Sequence, residues 1–153
     1  MFLAAPIMNS FIELMPIVCV DAVVSYRDKY LVIKRTSWPA KDQFWLPGGR
    51  IWKNERIIDA TLRKVKEETN LNAYYETFLT VEETFFEKAE NMTKHTVNIT
   101  SLVAVKNIKN LSLDGEHDEH KWLQQNDPLL TELHPAVSKP IVSAIEYFIN
   151  ESS

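Results

Sequence analysis

Charged residues between Gly49 and Leu71 stand at a spacing that could do chemistry. Five residues separate Gly49 from Glu55, seven separate Glu55 from Arg63, and the pair Glu67-Glu68 follows within one helical turn or so. Carboxylate oxygens are the ligands that Mg²⁺ prefers in proteins. A charged cluster of this kind is otherwise an ordinary solvated helix face. The Pro47-Gly48-Gly49 turn before it, together with the complete spacing, favours a functional site.

These side chains need a helix to hold them, and the pattern predicts one from Asn54 to Thr69. Asn54 is suited to the N-cap, and Asn70 can close the helix because asparagine tolerates a left-handed backbone. One apolar face follows the helical repeat, and we expect it to be buried. Its members are Ile58, Leu62 and Val65.

The segment resembles the Nudix box, G-x5-E-x7-R-E-U-x-E-E-x-G-U with U aliphatic, and departs from it at two positions. Asn70 replaces a glycine, a mild change because asparagine accepts a positive φ. Lys64 replaces a glutamate that, in the family, binds metal and often activates water. A protonated lysine can do neither and repels a cation beside it. The site should therefore bind fewer metal ions than a standard Nudix site, and the base must come from elsewhere.

Further motifs are similar to one Nudix branch, the GDP-mannose mannosyl hydrolases. The resemblance runs from Met1 through about Trp122, and its motifs are Lys34-Arg35-Thr36, Pro39-Ala40, Trp45-Leu46-Pro47-Gly48-Gly49-Arg50, Asp114-Gly115-Glu116-His117-Asp118 and Lys121-Trp122-Leu123. It implies hydrolysis of a GDP-sugar, GDP-mannose foremost, to GDP and free sugar by attack of water at the anomeric carbon. Such a reaction needs a base opposite the leaving group, as in inverting glycosidases.

The resemblance assigns catalytic roles to His117, Arg35, Arg50 and Asp21. His117 matches the base, and imidazole titrates in the useful range. Arg35 and Arg50 match arginines that bind the diphosphate, where a guanidinium fork suits the developing charge. Asp21 matches a carboxylate that contacts the sugar. Phe2 joins Asp21 and the two arginines among the implied substrate-binding residues.

The metal implied by the resemblance is one Mg²⁺ per active site, held by the carbonyl of Gly48 and the carboxylates of Glu68 and Glu116. Glu116 stands where the branch has a glutamine, which changes the charge at the metal. Thr96 and Thr84 stand where the branch has a tyrosine and a histidine near the leaving group. These losses could slow the reaction or change the preferred sugar.

Two other functions are consistent with the same residues. A pyrophosphohydrolase would attack a nucleoside diphosphate sugar or another nucleotide at phosphorus, using Glu67 and Glu68, although Lys64 counts against it. A non-catalytic module would bind a nucleotide sugar tightly without turnover. The products of the reaction distinguish the three.

Composition excludes several classes of protein. The chain has 153 residues, enough for one domain spanning 1–153, and its net charge of −4 argues against binding nucleic acid. Cys19 is the only cysteine and lies in an apolar run, which indicates a buried thiol in a reducing compartment. No signal peptide or membrane helix is evident, so we expect a cytoplasmic protein with no membrane partner. The resemblance implies a homodimer.

The remaining pattern predicts an α/β (α+β) fold, with a mixed sheet sandwiched between helices as in Nudix proteins. A helical turn is expected at Ser10–Leu14 and a last helix at Pro135–Asn150, with Val137, Ile141, Ile145 and Phe148 as its apolar side. The expected strands are Ile17–Ser25, Tyr30–Ile33, Phe44–Leu46, 73–86, 96–105 and 121–123.

Overall fold

The computed structural model describes residues 3–89 and 92–153. Phe2, implied above in substrate binding, lies outside the described residues. The helices are α1 (Ala5–Leu14), α2 (Ile57–Thr69) and α3 (Pro135–Glu151), and a short 3₁₀ helix spans Pro128–Thr131. The strands are β1 (Ile17–Tyr26), β2 (Lys29–Arg35), β3 (Phe44–Trp45), β4 (Gly48–Arg50), β5 (Ala73–Ala89), β6 (Met92–Val105) and β7 (His117–Gln124).

The strands form a mixed seven-stranded sheet in the order β3-β2-β1-β6-β5, while β4 pairs with β1 and β7 pairs with β2. The β1 and β6 strands run parallel, and the other pairs are antiparallel. Since β1 pairs with β6 along most of its length and with β4 at Cys19–Asp21, its middle lies between two other strands. The middle of β1 is therefore the place where several segments meet.

The sheet has a hydrophobic core on each face because successive side chains of a strand point to opposite sides. Val23 packs with Val137 and Ile141 of α3 on one face. Its neighbours Ala22 and Val24 pack in the other core with Val65 of α2. The predicted sandwich of a mixed sheet between helices is confirmed.

Helix α2 differs from its prediction at its start and agrees with it at its end. It begins at Ile57 with Arg56 as the N-cap, so the assignment of Asn54 was wrong. Asn54 instead has a φ of 66° in the turn before the helix, where Glu55 N–H donates to the carbonyl of Trp52. Ile58 is 43% exposed, whereas Ala60 and Thr61 are buried, so Ile58 is not on the buried face of the helix. Asn70 closes the helix in the left-handed conformation, as predicted.

Several other elements are longer than the sequence pattern indicated, among them helix α1, which begins at Ala5 and not at Ser10. Strand β7 begins at His117, four residues before the predicted start, because its polar first half is paired along β2 by backbone bonds that need no apolar alternation. Helix α1 has no buried residue. Within 3–89 and 92–153, no helix is both long and apolar enough to cross a bilayer.

Candidate active site

Asp21, Gly48 and Glu68 meet where β1, β4 and α2 come together. Asp21 is paired in register with Gly48, whose N–H donates to Glu68 Oε2 at 3.1 Å. A side chain at position 48 would overlap the carboxylate of Asp21, so only glycine allows this approach. Asp21 and Glu68 are only 4% and 3% exposed. Three of the predicted site residues are therefore brought together around one buried point.

Lys64 lies beside this buried centre, one helical turn before Glu68 on α2. Its Nζ is 2.8 Å from Glu68 Oε1 and 3.3 Å from Glu67 Oε2. Burial lowers the pKa of Lys64, but the ion pairs with Glu68 and Glu67 together outweigh burial and leave that pKa above its ordinary value. The sequence indicated that Lys64 would repel a metal, but not that it would form an ion pair with Glu68.

Asp21 belongs to a chain of buried polar groups that the sequence did not indicate. Asn98 Nδ2 donates to Asp21 Oδ2 at 2.7 Å, and Thr96 Oγ1 donates to Asn98 Oδ1 at 2.6 Å. Burial raises the pKa of Asp21 to about 7; Asn98 opposes this, the charge of Glu68 adds to it, and Arg35 opposes it. A carboxyl group in this state can gain or lose its proton near neutral pH.

His117 is held beside the same point by the loop that precedes β7. Its Nδ1 is 2.6 Å from Asp114 Oδ1, and its side chain is 1% exposed. The loop is fixed to the end of α2, since Asp114 N–H donates to the carbonyl of Glu68 and Ser112 N–H to that of Thr69. The charge of His117 also lowers the pKa of Glu68, whose burial raises it. A histidine oriented by a carboxylate is the arrangement of a general base.

The predicted arginines lie on two sides of this centre. Arg35 ends β2, is paired in register with His117, and donates from Nε to the carbonyl of Pro39 at 2.6 Å. Arg50 ends β4, and its Nη1 is 3.1 Å from Met8 Sδ of α1. Glu116 is exposed, and its carbonyl accepts from Thr36.

A cleft of about 520 Å³ opens above the buried groups. Its walls carry both cations and acids, so it suits a ligand with both phosphate and metal. The lining residues are Arg50, Trp52, Arg63, Lys64, Glu67, Asp114, Gly115 and Glu116. Arg50 and Glu116 were predicted members of the site, whereas Asp114 and Trp52 were not.

The spacing between Glu55 and Arg63 has a structural role. Arg63 Nε and Nη2 donate to the two oxygens of Glu55 at 2.6 and 2.8 Å, a bidentate pair. Arg63 Nη2 also donates to the carbonyl of Arg50, and its guanidinium stacks 3.8 Å from the ring of Trp52. These contacts fix the segment after β4 to α2 and so set the position of Arg50.

A second, more apolar cleft of about 400 Å³ adjoins the first, because Arg50 and Trp52 line both. Its other walls include Met8 and Phe11 of α1 and Val18 of β1. Helix α1 and strand β1 thus form an apolar binding surface next to the charged cleft.

Thr84 and Thr96, the two positions that depart from the resembling branch, are directly opposite each other on β5 and β6. Both are 3% exposed, and Thr84 Oγ1 has no hydrogen-bond partner among the described residues. Thr96 is tied through Asn98 to Asp21. These positions therefore adjoin Asp21 and do not line the charged cleft.

Among the described residues, no three His, Cys, Asp or Glu side chains are close enough together to hold a metal ion by themselves. An ionised carboxylate offers about four lone-pair positions. Lys64 and the N–H of Gly48 use two of those on Glu68, so acceptor capacity remains. Glu68 could therefore bind one Mg²⁺, and the Gly48 carbonyl, the exposed Glu116 carboxylate and water would be further oxygen donors of the kind that Mg²⁺ prefers.

Comparisons with known proteins agree with this geometry. The chain is similar to the low-salt glycan biosynthesis protein Agl8 of Haloferax volcanii, with 29% identity over 126 residues, 81% of this chain and 79% of that protein. It is also similar to an ADP-ribose pyrophosphatase of Methanocaldococcus jannaschii, with 43% identity over 56 residues, which are 37% of this chain and 33% of that protein.

Among solved structures, a NUDIX hydrolase from Nitrosomonas europaea superposes with a TM-score of 0.69 at 24% identity, covering 86% of this chain and 89% of that one. At this identity the likeness shows the fold alone. The family model of the NUDIX domain, however, matches residues 15–144, which are most of the sequence and include the buried centre and the charged cleft. The chain belongs to the Nudix hydrolase family.

Proposed function

We propose that the chain hydrolyses a GDP-sugar, with GDP-mannose as the first substrate to test, releasing GDP and free sugar. The observation that carries this proposal is the His117–Asp114 pair, at 2.6 Å, beside a Glu68 that is already bound by the ammonium of Lys64. The usual water-activating glutamate of the Nudix box is absent, while an oriented imidazole stands next to the cleft. This combination favours water activation by His117.

The reaction follows from the chemistry of these groups. Water gives a proton to His117 as its oxygen bonds to the anomeric carbon, and the bond from that carbon to the diphosphate oxygen breaks. The electron pair leaves with GDP, so no acid is needed if the diphosphate charge is stabilised. Arg35 and Arg50 supply fixed positive charge for this purpose. Asp21 holds the sugar, and Asp114 orients the imidazole and stabilises its protonated form.

When bound, Mg²⁺ would neutralise the diphosphate, and its ligands would be the carbonyl of Gly48 with the carboxylates of Glu68 and Glu116. The apolar cleft beside Arg50 would take the guanine, since a flat base needs aromatic and aliphatic walls such as Trp52 and Met8. The printed name of the Haloferax volcanii relative concerns glycan biosynthesis, which supports a sugar nucleotide as substrate.

Pyrophosphohydrolysis is the second candidate, and Glu67 is the residue that favours it. Its carboxylate is 43% exposed on the wall of the charged cleft, where it could activate water toward phosphorus. A relative similar over part of this chain is named an ADP-ribose pyrophosphatase. The third candidate, a module that binds a nucleotide sugar without turnover, would form neither set of products.

Incubation with GDP-mannose and Mg²⁺ in isotopically labelled water separates these candidates. We expect GDP and mannose as products, with the heavy oxygen in mannose. Label in a phosphate would establish attack at phosphorus, and binding without products would establish the non-catalytic module. His117→Gln should remove turnover, whereas His120→Gln is the matched control because His120 is exposed on the same strand.

A further inference from the structure

The ammonium of Lys64 lies between two carboxylates of the same helix. Its distances are 2.8 Å to Glu68 Oε1 and 3.3 Å to Glu67 Oε2, and its side chain is only 18% exposed. In the standard Nudix box this position carries a glutamate, so the three side chains at 64, 67 and 68 would all be acidic. Here a fixed positive charge lies where such a triplet would attract a metal ion.

The backbone opposite Lys64 is shaped to receive it. A side chain on Gly49 would come within 2.8 Å of Lys64 Cε, and Gly49 has a φ of 157°, which side-chain-bearing residues rarely adopt. Glycine therefore leaves room for the lysine stem against β4, and Lys64 lines the charged cleft together with Arg50 and Arg63. An ammonium has three donors, and two are directed to Glu67 and Glu68.

We propose that Lys64 is a built-in cation of the diphosphate site, which takes the place of a second divalent ion between Glu67 and Glu68 and binds the substrate diphosphate. Lys64 lines the charged cleft together with Arg50 and Arg63, and the third of its N–H donors is left for a ligand. The proposal rests on the proposed function only in requiring a nucleoside diphosphate ligand. It does not depend on which bond of that ligand is cleaved, nor on whether His117 is the base.

Metal binding tests the first half of the proposal without measuring turnover. Mn²⁺ is titrated against the full-length protein, and free Mn²⁺ is followed by electron paramagnetic resonance. Lys64→Glu should bind at least one more Mn²⁺ per chain than wild type. Lys66→Glu makes the same charge change on an exposed neighbour of the same helix and should leave the number unchanged. Equal Mn²⁺ numbers for wild type and Lys64→Glu would overturn the proposal.

Added Mn²⁺ should also raise the melting temperature of Lys64→Glu more than that of wild type, because an ion bound only by the folded state stabilises it. This readout remains usable if the extra carboxylate destabilises the variant. Equal shifts for the two proteins would contradict the replacement of a metal ion by Lys64.

GDP binding tests the second half, with calorimetry in the presence of a chelator so that no divalent ion contributes. Wild type should bind GDP under these conditions, and Lys64→Met should lose roughly 10-fold to 100-fold in affinity, the range of one hydrogen bond to a charged group. Lys66→Met should bind as wild type does, and Lys64→Gln provides a second neutral variant. Absence of GDP binding by chelated wild type, or unchanged affinity in Lys64→Met, would refute the diphosphate contact.

Discussion

Replacing Asp21 with asparagine removes one ionisable group from the centre of the site without changing its shape. The amide oxygen can accept the hydrogen bond that Asn98 Nδ2 now gives to Asp21 Oδ2 at 2.7 Å. The native carboxyl group is 4% exposed, and its burial raises the pKa of Asp21 to about 7. Asp21→Asn therefore isolates the free energy of that ionisation.

The sign follows from the raised pKa of Asp21. In the unfolded chain an aspartate loses its proton near pH 4, whereas the folded state keeps it until about pH 7. The stability that this group contributes is thus fully present below about pH 4 and is lost as the pH rises toward 7. The loss amounts to about 1.4 kcal/mol per pH unit in this window. Asparagine has no such loss.

Urea unfolding of both proteins at several pH values measures the effect. As the pH rises from about 5 to 7, the unfolding free energy of wild type should fall relative to that of Asp21→Asn by roughly 2–3 kcal/mol. Asp118→Asn, an exposed change on β7, should show no comparable trend. If the stability curves of wild type and Asp21→Asn stay parallel over this range, Asp21 has an ordinary pKa and the reasoning fails. We also expect the stabilised variant to lose turnover, since Asp21 is proposed to hold the sugar.

Three further predictions concern other groups of the molecule. His117→Gln should lower kcat by roughly 10²–10⁴-fold with little change in substrate affinity. Asp114→Asn should lower kcat by about 10–100-fold, the range of one charge-assisted hydrogen bond. An unchanged kcat in steady-state kinetics of either variant would contradict its prediction. Glu68→Gln should weaken Mg²⁺ binding in calorimetry and nearly abolish turnover, whereas an active variant with unchanged Mg²⁺ dependence would remove Glu68 from the site. The thiol of Cys19 should not react with an aromatic disulfide reagent before unfolding, because burial raises its pKa to about 12; fast labelling of the native protein would show that the thiol is accessible.

Local patterns predicted the fold well because they depend on neighbours in the sequence. The apolar run Ile17–Ser25 became β1, the repeat from Pro135 became α3, and Asn70 adopted the left-handed conformation. The start of α2 was predicted wrongly because Asn54 is a usual capping residue, whereas Arg56, the actual N-cap, makes no side-chain capping hydrogen bond. Glu55, bound by Arg63 and by the N–H of Trp52, holds the chain in a turn until Arg56.

The site could be predicted only in part, because its closest contacts join residues far apart in sequence. Asp21 and Asn98 are 77 positions apart, and no spacing rule connects a residue of β1 with one of β6. Only their parallel register brings them together. Asp114 was within a recognised motif, three residues before His117, but that interval alone does not show that the two side chains bond.

Burying the charged groups of this site costs folding free energy, and the fold alone does not explain why they are there. A largely buried ion pair such as Lys64 and Glu68 is often no more stabilising than apolar residues of similar size. Asp21 lowers the stability of the folded state further, since its raised pKa makes ionisation at neutral pH unfavourable there. Yet Gly48, Gly49 and Asn98 each make room for these groups or bond to them. Residues that stabilise an unfavourable arrangement indicate that the arrangement is used, because titratable groups with shifted pKa values concentrate where chemistry occurs. The stability gained by Asp21→Asn and the activity lost with it would then have one physical origin.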